Sequence, residues 1–256
     1  MNISNILKSI LNLQKRIDVN GLPSMGLFYK NDFEIWIKRA EMSDIIEYEY
    51  EFKRDDLGSI LYKLKRIVEK NVTLSGKYTF NDIKSVDIIF IFIEIVKFTN
   101  NTPFLIRYKN PLSGNIESIN FSSENFNYFN KEKIQKNWDP NSKEVLIDGY
   151  KYCIPSIGVE NSITKYLISK SSAPNNNLNY ESLSYDFIYF LGGKSELSQD
   201  EIENLIQIFN FEISEDEKKK IRKIVKKFSG LGKYSLKKED LTIELTSNID
   251  LEKVWK

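Results

Sequence analysis

Residues 86–96 have the sequence Val86-Asp87-Ile88-Ile89-Phe90-Ile91-Phe92-Ile93-Glu94-Ile95-Val96, and this stretch decides the fold. Nine of its eleven residues are apolar, so it is expected to be buried, as either a strand or a helix. The flanking residues favour a helix over residues 81–98, because Thr79 and Asp82 have capping-box spacing and Lys97 suits a helix C-terminus. A helix that is apolar on nearly every face lies in a protein core.

A β-hairpin is predicted directly after this helix. Two alternating apolar runs, residues 104–109 and 116–121, flank the sequence Asn110-Pro111-Leu112-Ser113-Gly114. Proline, asparagine, serine and glycine favour the backbone conformations of tight turns, so the two runs are expected to pair. The unit is therefore a helix followed by a two-stranded ribbon.

A second unit of the same kind is predicted near the C-terminus. Ser214 and Glu217 have capping-box spacing, and an apolar stripe runs through residues 214–228 before Gly230 ends the helix. The apolar residues around 241–245 then indicate a second ribbon. The repeated layout indicates either an internal duplication or a coincidence.

Together these patterns predict an α+β fold with two helix-plus-ribbon lobes and an amphipathic N-terminal helix over residues 2–17. The predicted organisation is an N-terminal helix and connector at residues 1–30, a first α+β lobe at 31–135 and a second at 136–256. The N-terminal helix either packs on its own domain or docks against a neighbouring chain. The pattern of residues 180–191 leaves helix and strand both open.

Composition excludes several kinds of function. The chain has 256 residues, a formal net charge of +1 and no histidine, so it lacks the commonest general base and the commonest metal ligand. Its single cysteine, Cys153, excludes an intramolecular disulfide and a cysteine-based zinc site, and its apolar setting predicts a buried structural thiol. We find no catalytic constellation, so no enzyme activity, cofactor or metal site is expected.

Two further partner classes are not expected. The apolar run is shorter than the roughly 20 residues of a membrane span and is interrupted by Asp87 and Glu94, so no membrane partner is predicted. Gly193-Lys194-Ser195 resembles the end of a phosphate-binding loop, but Ile188 stands where that loop requires glycine. A small-molecule ligand is therefore not predicted.

The early motif Leu22-Pro23-Ser24-x-Gly26-x-x-Tyr29 is followed by a strand, a short helix, and the helix that carries Asp87 ahead of its apolar run. This arrangement resembles the baseplate hub and tail-assembly protein family of contractile-tailed, T-even-type phages. The resemblance implies a non-enzymatic component that joins or helps assemble the tail baseplate hub, contacts other baseplate hub proteins, and resides in the virion after synthesis in the host cytoplasm. Many members carry paired cysteines in the ribbons that look like zinc knuckles. This chain has none at residues 110–114 or 237–240, so metal binding is not carried over.

Residues 2–29 are the predicted contact element, because neutral charge, aromatic content and an amphipathic N-terminal helix suit a protein that packs against other proteins. The predicted partner-binding residues are Ile3, Ile6, Leu7, Ile10, Leu22, Pro23, Phe28 and Tyr29. The alternative function is a nucleic-acid-binding regulatory or processing factor that uses the basic residues of 218–227 and the aromatic residues of 126–129. A nucleic-acid partner is the less favoured of the two. An enzyme, built from carboxylates, lysines and tyrosines, is the third hypothesis.

Overall fold

The computed structural model describes residues 13–44, 46, 57–101, 105–110, 113–120, 122–130, 132, 136–147, 149–171, 188, 194–228, 231–233, 235–238, 241–244 and 249–250. Within these ranges the fold is α+β, which confirms the predicted class. The segment at residues 180–191, for which helix and strand were both open, lies outside them apart from Ile188. Among the described helices, none has the length and apolar character needed to cross a membrane.

Helices and small antiparallel sheets alternate along the chain. The helices are α1 (Leu57–Asn71), α2 (Ile88–Asn100), α3 (Ile157–Ser171), α4 (Gln199–Gln207), which a π-helical turn extends over Ile208–Glu212, and α5 (Glu215–Phe228). The strands are β1 (Gln14–Ile17), β2 (Ile35–Lys38), β3 (Val72–Leu74), β4 (Leu105–Lys109), β5 (Ile116–Asn120), β6 (Trp138–Asp139), β7 (Glu144–Ile147), β8 (Tyr150–Tyr152), β9 (Ser235–Lys238), β10 (Leu241–Glu244) and β11 (Ile249–Asp250). They form sheets in the orders β1-β2-β3, β11-β4-β5, β6-β7-β8 and β10-β9.

The end of the predicted N-terminal helix is a strand. β1 pairs antiparallel with β2, so that Gln14 lies opposite Lys38 and Ile17 lies opposite Ile35. The prediction of a helix that continues to residue 17 is therefore wrong, because these backbone groups bond to a strand that is distant in sequence. Residues 1–12, which hold the rest of the predicted helix, lie outside the described residues.

Helix α2 is a core helix, as predicted, although it begins later than predicted. The side chains buried along it are Ile88, Phe90, Ile91, Phe92, Ile93, Ile95 and Val96. Thr79 and Asp82 do form the predicted capping interaction, with the Thr79 backbone N–H donating to the carboxylate at 2.7 Å, but they cap a short 3-10 turn, Phe80–Asp82. Ile83 and Lys84 are then extended, because the backbone there bonds to residues 155–157.

Both predicted ribbons are confirmed. β4 and β5 pair in an antiparallel hairpin, with Leu105 opposite Asn120 and Lys109 opposite Ile116. β9 and β10 pair in the same way after α5, with Leu241 opposite Lys238. β11 adds a third strand to the first ribbon by pairing with β4, which links the C-terminal part of the chain to the first lobe.

The buried side chains form two hydrophobic clusters. The first core combines the β1-β2-β3 sheet with α1 and α2, and the second combines β7 and β8 with α3, α4 and α5. Ile17, Leu22 and Tyr29, from the described part of residues 1–30, belong to the first core.

Four short segments place side chains in both cores, and we call them the junction: residues 28–29, 86–88, 126–129 and 154–157. Phe28 packs in the second core while its neighbour Tyr29 packs in the first, and Phe129 and Phe126 divide in the same way. Backbone hydrogen bonds fix two of these segments to the chain around them. The N–H of Ile157 donates to the carbonyl of Ile83, and the N–H of Phe129 donates to that of Pro23, each at 2.9 Å. The two cores therefore share segments whose backbone is held in place.

Gly232 fits against the junction, and we expect its replacement by alanine to destabilise the protein. Gly232 has φ +70°, and a Cβ there would overlap the backbone of Val86, which cannot rotate away. Gly114 also has φ +70°, but a Cβ at Gly114 meets nothing within 4 Å. Left-handed strain alone costs about 1 kcal/mol, and the overlap adds about 2 kcal/mol.

Urea unfolding of the Gly232→Ala and Gly114→Ala variants measures this difference. The first is expected to lose about 3 kcal/mol of unfolding free energy and the second about 1 kcal/mol. Equal losses would contradict the close approach of residue 232 to Val86.

Candidate functional site

The motif Leu22-Pro23-Ser24-x-Gly26-x-x-Tyr29 forms a compact run of turns, and we call residues 22–29 the motif segment. The N–H of Met25 donates to the carbonyl of Leu22 at 2.7 Å, and the N–H of Tyr29 donates to that of Gly26 at 3.2 Å. Gly26 has φ +67°, and a Cβ there would crowd Val19. Glycine is therefore required at this position, both for its conformation and for the close approach.

The motif segment is held to the start of α2 by one buried carboxylate. Asp87 accepts a hydrogen bond from the Ser24 N–H at Oδ1 and one from the Tyr29 hydroxyl at Oδ2, each at 2.8 Å. The Tyr29 hydroxyl in turn accepts from the N–H of Lys84 at 2.8 Å. Asp87 is 0% exposed, so its carboxylate binds these chain segments and has no contact with solvent.

Burial dominates the ionisation of this cluster. Removal from water raises the pKa of Asp87 to about 6, although the Ser24 and Tyr29 donors and the positive charge of Lys84 favour the ionised form. The pKa of Tyr29 is raised well above its usual value, first by burial and then by the negative charge of Asp87. Tyr29 therefore stays protonated and remains a donor to the carboxylate.

Lys84 and Cys153 complete the buried polar group. The Lys84 ammonium donates to Cys153 Sγ at 3.4 Å, and both side chains are buried. Burial raises the pKa of the Cys153 thiol, so the neutral form that prevails is a poor nucleophile. The predicted buried thiol is thus confirmed. Within the described residues, no group of three or more His, Cys, Asp or Glu side chains is placed to hold a metal ion.

The structure corrects the predicted contact residues. Leu22, Phe28 and Tyr29 are buried in the chain's own cores, and Pro23 is buried beside them in the sequence, because the turns of the motif segment direct these side chains inward. They offer no surface to a partner in this arrangement. The other four predicted residues, Ile3, Ile6, Leu7 and Ile10, lie outside the described residues.

Sequence reasoning missed the role of Asp87 and Lys84. In the sequence, Asp87 interrupts an apolar run. A carboxylate in such a run is expected to be buried and therefore to need hydrogen-bond donors. The sequence contained that signal, but it did not identify the donors, because Ser24 and Tyr29 lie about sixty residues earlier in the chain.

Some of the residues proposed for nucleic-acid binding are engaged within the protein. On α5, Lys218 pairs with Glu215 and Lys219 with Asp216, at 2.9 and 3.0 Å. Among the aromatic residues of 126–129, Phe126 and Phe129 are buried in the cores and cannot stack on bases. Exposed cations remain on α5 at Arg222 and Lys223.

Comparison of the chain with protein-family models, with curated proteins and with solved structures finds no match.

Tyr29→Phe is expected to destabilise the protein by about 2 kcal/mol, because it removes the hydroxyl that donates to a buried carboxylate and accepts from Lys84. Tyr78→Phe is the matched control, since the Tyr78 hydroxyl also donates to a carboxylate, that of Asp32, but at an exposed position. The control is expected to lose less than about 1 kcal/mol. Unfolding free energies in urea measure both, and equal losses would contradict the role of Asp87.

The raised pKa of Asp87 also predicts a pH dependence of stability. In the unfolded chain an aspartate titrates near pH 4, whereas folded Asp87 titrates near pH 6, so the folded state binds the proton more tightly. This contribution is fully present below about pH 4 and is lost as the pH rises to about 6, by about 3 kcal/mol in all.

Comparison with the Asp87→Asn variant isolates this contribution. Other carboxylates, such as Asp44 and Glu94, have lowered pKa values and make stability rise with pH, but they do so equally in the wild type and the variant. The stability of the wild type minus that of the variant is expected to fall between pH 4 and pH 6. A difference that does not change with pH would show that Asp87 titrates normally.

Proposed function

We propose that this protein is a non-enzymatic component or assembly factor of a phage tail baseplate hub and acts through contacts with other baseplate hub proteins. Its place of action is then the tail baseplate of the virion. The proposal needs no cofactor, metal or membrane.

One observation carries the proposal. The two stretches that bear the family resemblance, the motif segment and the helix that starts after Asp87, are bonded directly to each other through the Asp87 carboxylate. The motif segment and Asp87 thus form one structural unit, although they lie more than fifty positions apart in the chain. A buried unit of this kind supports a role in building a rigid scaffold, because backbone N–H groups, those of Ser24 and Lys84, donate two of its three hydrogen bonds.

The contact surface is drawn from the exposed residues of the predicted contact element. Leu13 is 62% exposed and Met25 is 42% exposed, and both are large apolar side chains within residues 2–29. Large exposed apolar side chains are what a protein interface covers. We therefore assign the contact to the exposed residues Leu13 and Met25, in place of the buried Leu22, Pro23, Phe28 and Tyr29.

Affinity purification of the tagged full-length chain from its infected native host, followed by mass spectrometry, tests the function. Recovery with tail baseplate proteins is the expected result. Recovery with nucleic acid that dissociates steeply with salt would favour the alternative function and the exposed cations of α5. Recovery with neither overturns the hub proposal.

A matched pair of substitutions tests the contact surface. Leu13 and Ile168 are each 62% exposed, but only Leu13 lies in the contact element. Leu13→Asp is expected to weaken recovery of the hub partner at least tenfold, because it places a charge in an apolar interface at a cost of more than about 1.4 kcal/mol. Ile168→Asp is expected to leave recovery unchanged. Equal effects of the two substitutions would place the contact elsewhere.

A further inference from the structure

A groove of about 550 Å³ borders the motif segment, and we call it the lysine groove. Four lysines line it, Lys30, Lys77, Lys84 and Lys194, beside the aromatic rings of Tyr29 and Phe33. This volume is within the range that holds a small ligand or a side chain from another protein.

Lys84 is the buried cation of the lysine groove. It is 6% exposed, and its ammonium donates to the Cys153 sulfur at 3.4 Å. An ammonium carries three donors and a thiol is a weak acceptor, yet no oxygen among the described residues accepts from this nitrogen. Buried donors that lack acceptors are costly, so Lys84 retains the capacity to bind an anionic oxygen.

Two further lysines are available at the surface of the lysine groove. Lys30 and Lys77 are exposed, and neither ammonium group has a hydrogen-bonded or ion-paired partner in the part of the chain that the structure describes. Asp32 lies near both lysines. The hydrogen bond from the Tyr78 hydroxyl lowers the pKa of the Asp32 carboxyl group, and the charges of Lys77 and Lys30 lower it further. Lys194 differs from these two, because it is ion-paired with Glu201.

The acidic residues of the lysine groove select the kind of anion. Asp82 accepts from the Thr79 N–H and hydroxyl, and Glu196 accepts from the Asn81 amide. These donors are neutral, so the negative charges of Asp82 and Glu196 remain in the groove. They repel a doubly charged phosphate more strongly than a singly charged carboxylate. The stronger attraction of the lysines for phosphate is offset, because Asp32, Glu201 and Asp87 lie beside these cations.

We propose that the lysine groove binds one carboxylate from an acidic side chain of a partner protein. Lys84 supplies the buried donor, and Lys30 and Lys77 attract the acidic segment to the surface. The choice of a protein as the source of the carboxylate rests on the proposed function, whereas the preference for a carboxylate rests on the groove alone.

Titration of the full-length chain with two capped peptides, acetyl-Gly-Glu-Gly-amide and acetyl-Gly-Gln-Gly-amide, tests this proposal by amide NMR. The glutamate peptide is expected to cause saturable shifts at residues 77–84 and 194–196, and the glutamine peptide is expected to bind at least tenfold more weakly. Lys84→Met is expected to abolish the shifts, with Lys223→Met on α5 as the control. Lys77→Gln, at an exposed position that does not affect folding, is expected to weaken binding several-fold.

Equal shifts with both peptides, or unchanged binding in folded Lys84→Met, would overturn the proposal. Displacement of the glutamate peptide by an equal concentration of inorganic phosphate would show a non-selective anion site and overturn the preference for carboxylate. Recovery of hub proteins by the tagged chain without any peptide binding would overturn the groove alone and leave the proposed function intact.

Discussion

The fold depends on a carboxylate that is removed from water and bonded to a distant part of the chain, the motif segment. Asp87 is enclosed between the motif segment and the start of α2, and its ionised form survives there because Ser24 and Tyr29 donate to it. A buried charge without such donors would be too costly to keep. The apolar helix therefore begins at a fixed point, and residues 22–29 have one place to pack.

The same region joins the two hydrophobic cores. Where the chain passes between the two cores, the side chains of neighbouring residues point into different cores. Phe28 packs in the second core and Tyr29 packs in the first. The Phe28 ring packs edge-on against Phe129 at 4.9 Å, while the Tyr29 ring stacks on Phe33 at 4.2 Å. A shift of this segment by one residue would move one of the two rings into the other core. The Asp87 hydrogen bonds prevent that shift, because they fix both the backbone of Ser24 and the hydroxyl of Tyr29.

Some polar groups of the molecule bond to one another and build the scaffold, and others remain available to bind a ligand. Asp87, Tyr29 and the Ser24 backbone bond to one another, and on α5 the first lysines bond to the acidic residues one turn earlier. Lys84 lies at the boundary, since its backbone N–H belongs to the scaffold and the residue also lines the lysine groove. The motif segment thus lies between the structural core and the lysine groove.

The sequence by itself determined the local features of this protein. It identified the α+β class, the core helix, both ribbons and the capped helix α5, because apolar periodicity, caps and turn residues act over a few neighbouring positions. Tertiary structure decided the features that depend on distant parts of the chain. Gln14–Ile17 became a strand because β2 bonds to it, and the motif residues became core because Asp87 holds their backbone. Hydrogen bonds and packing between residues far apart in sequence leave no periodic pattern, so only the folded chain shows them.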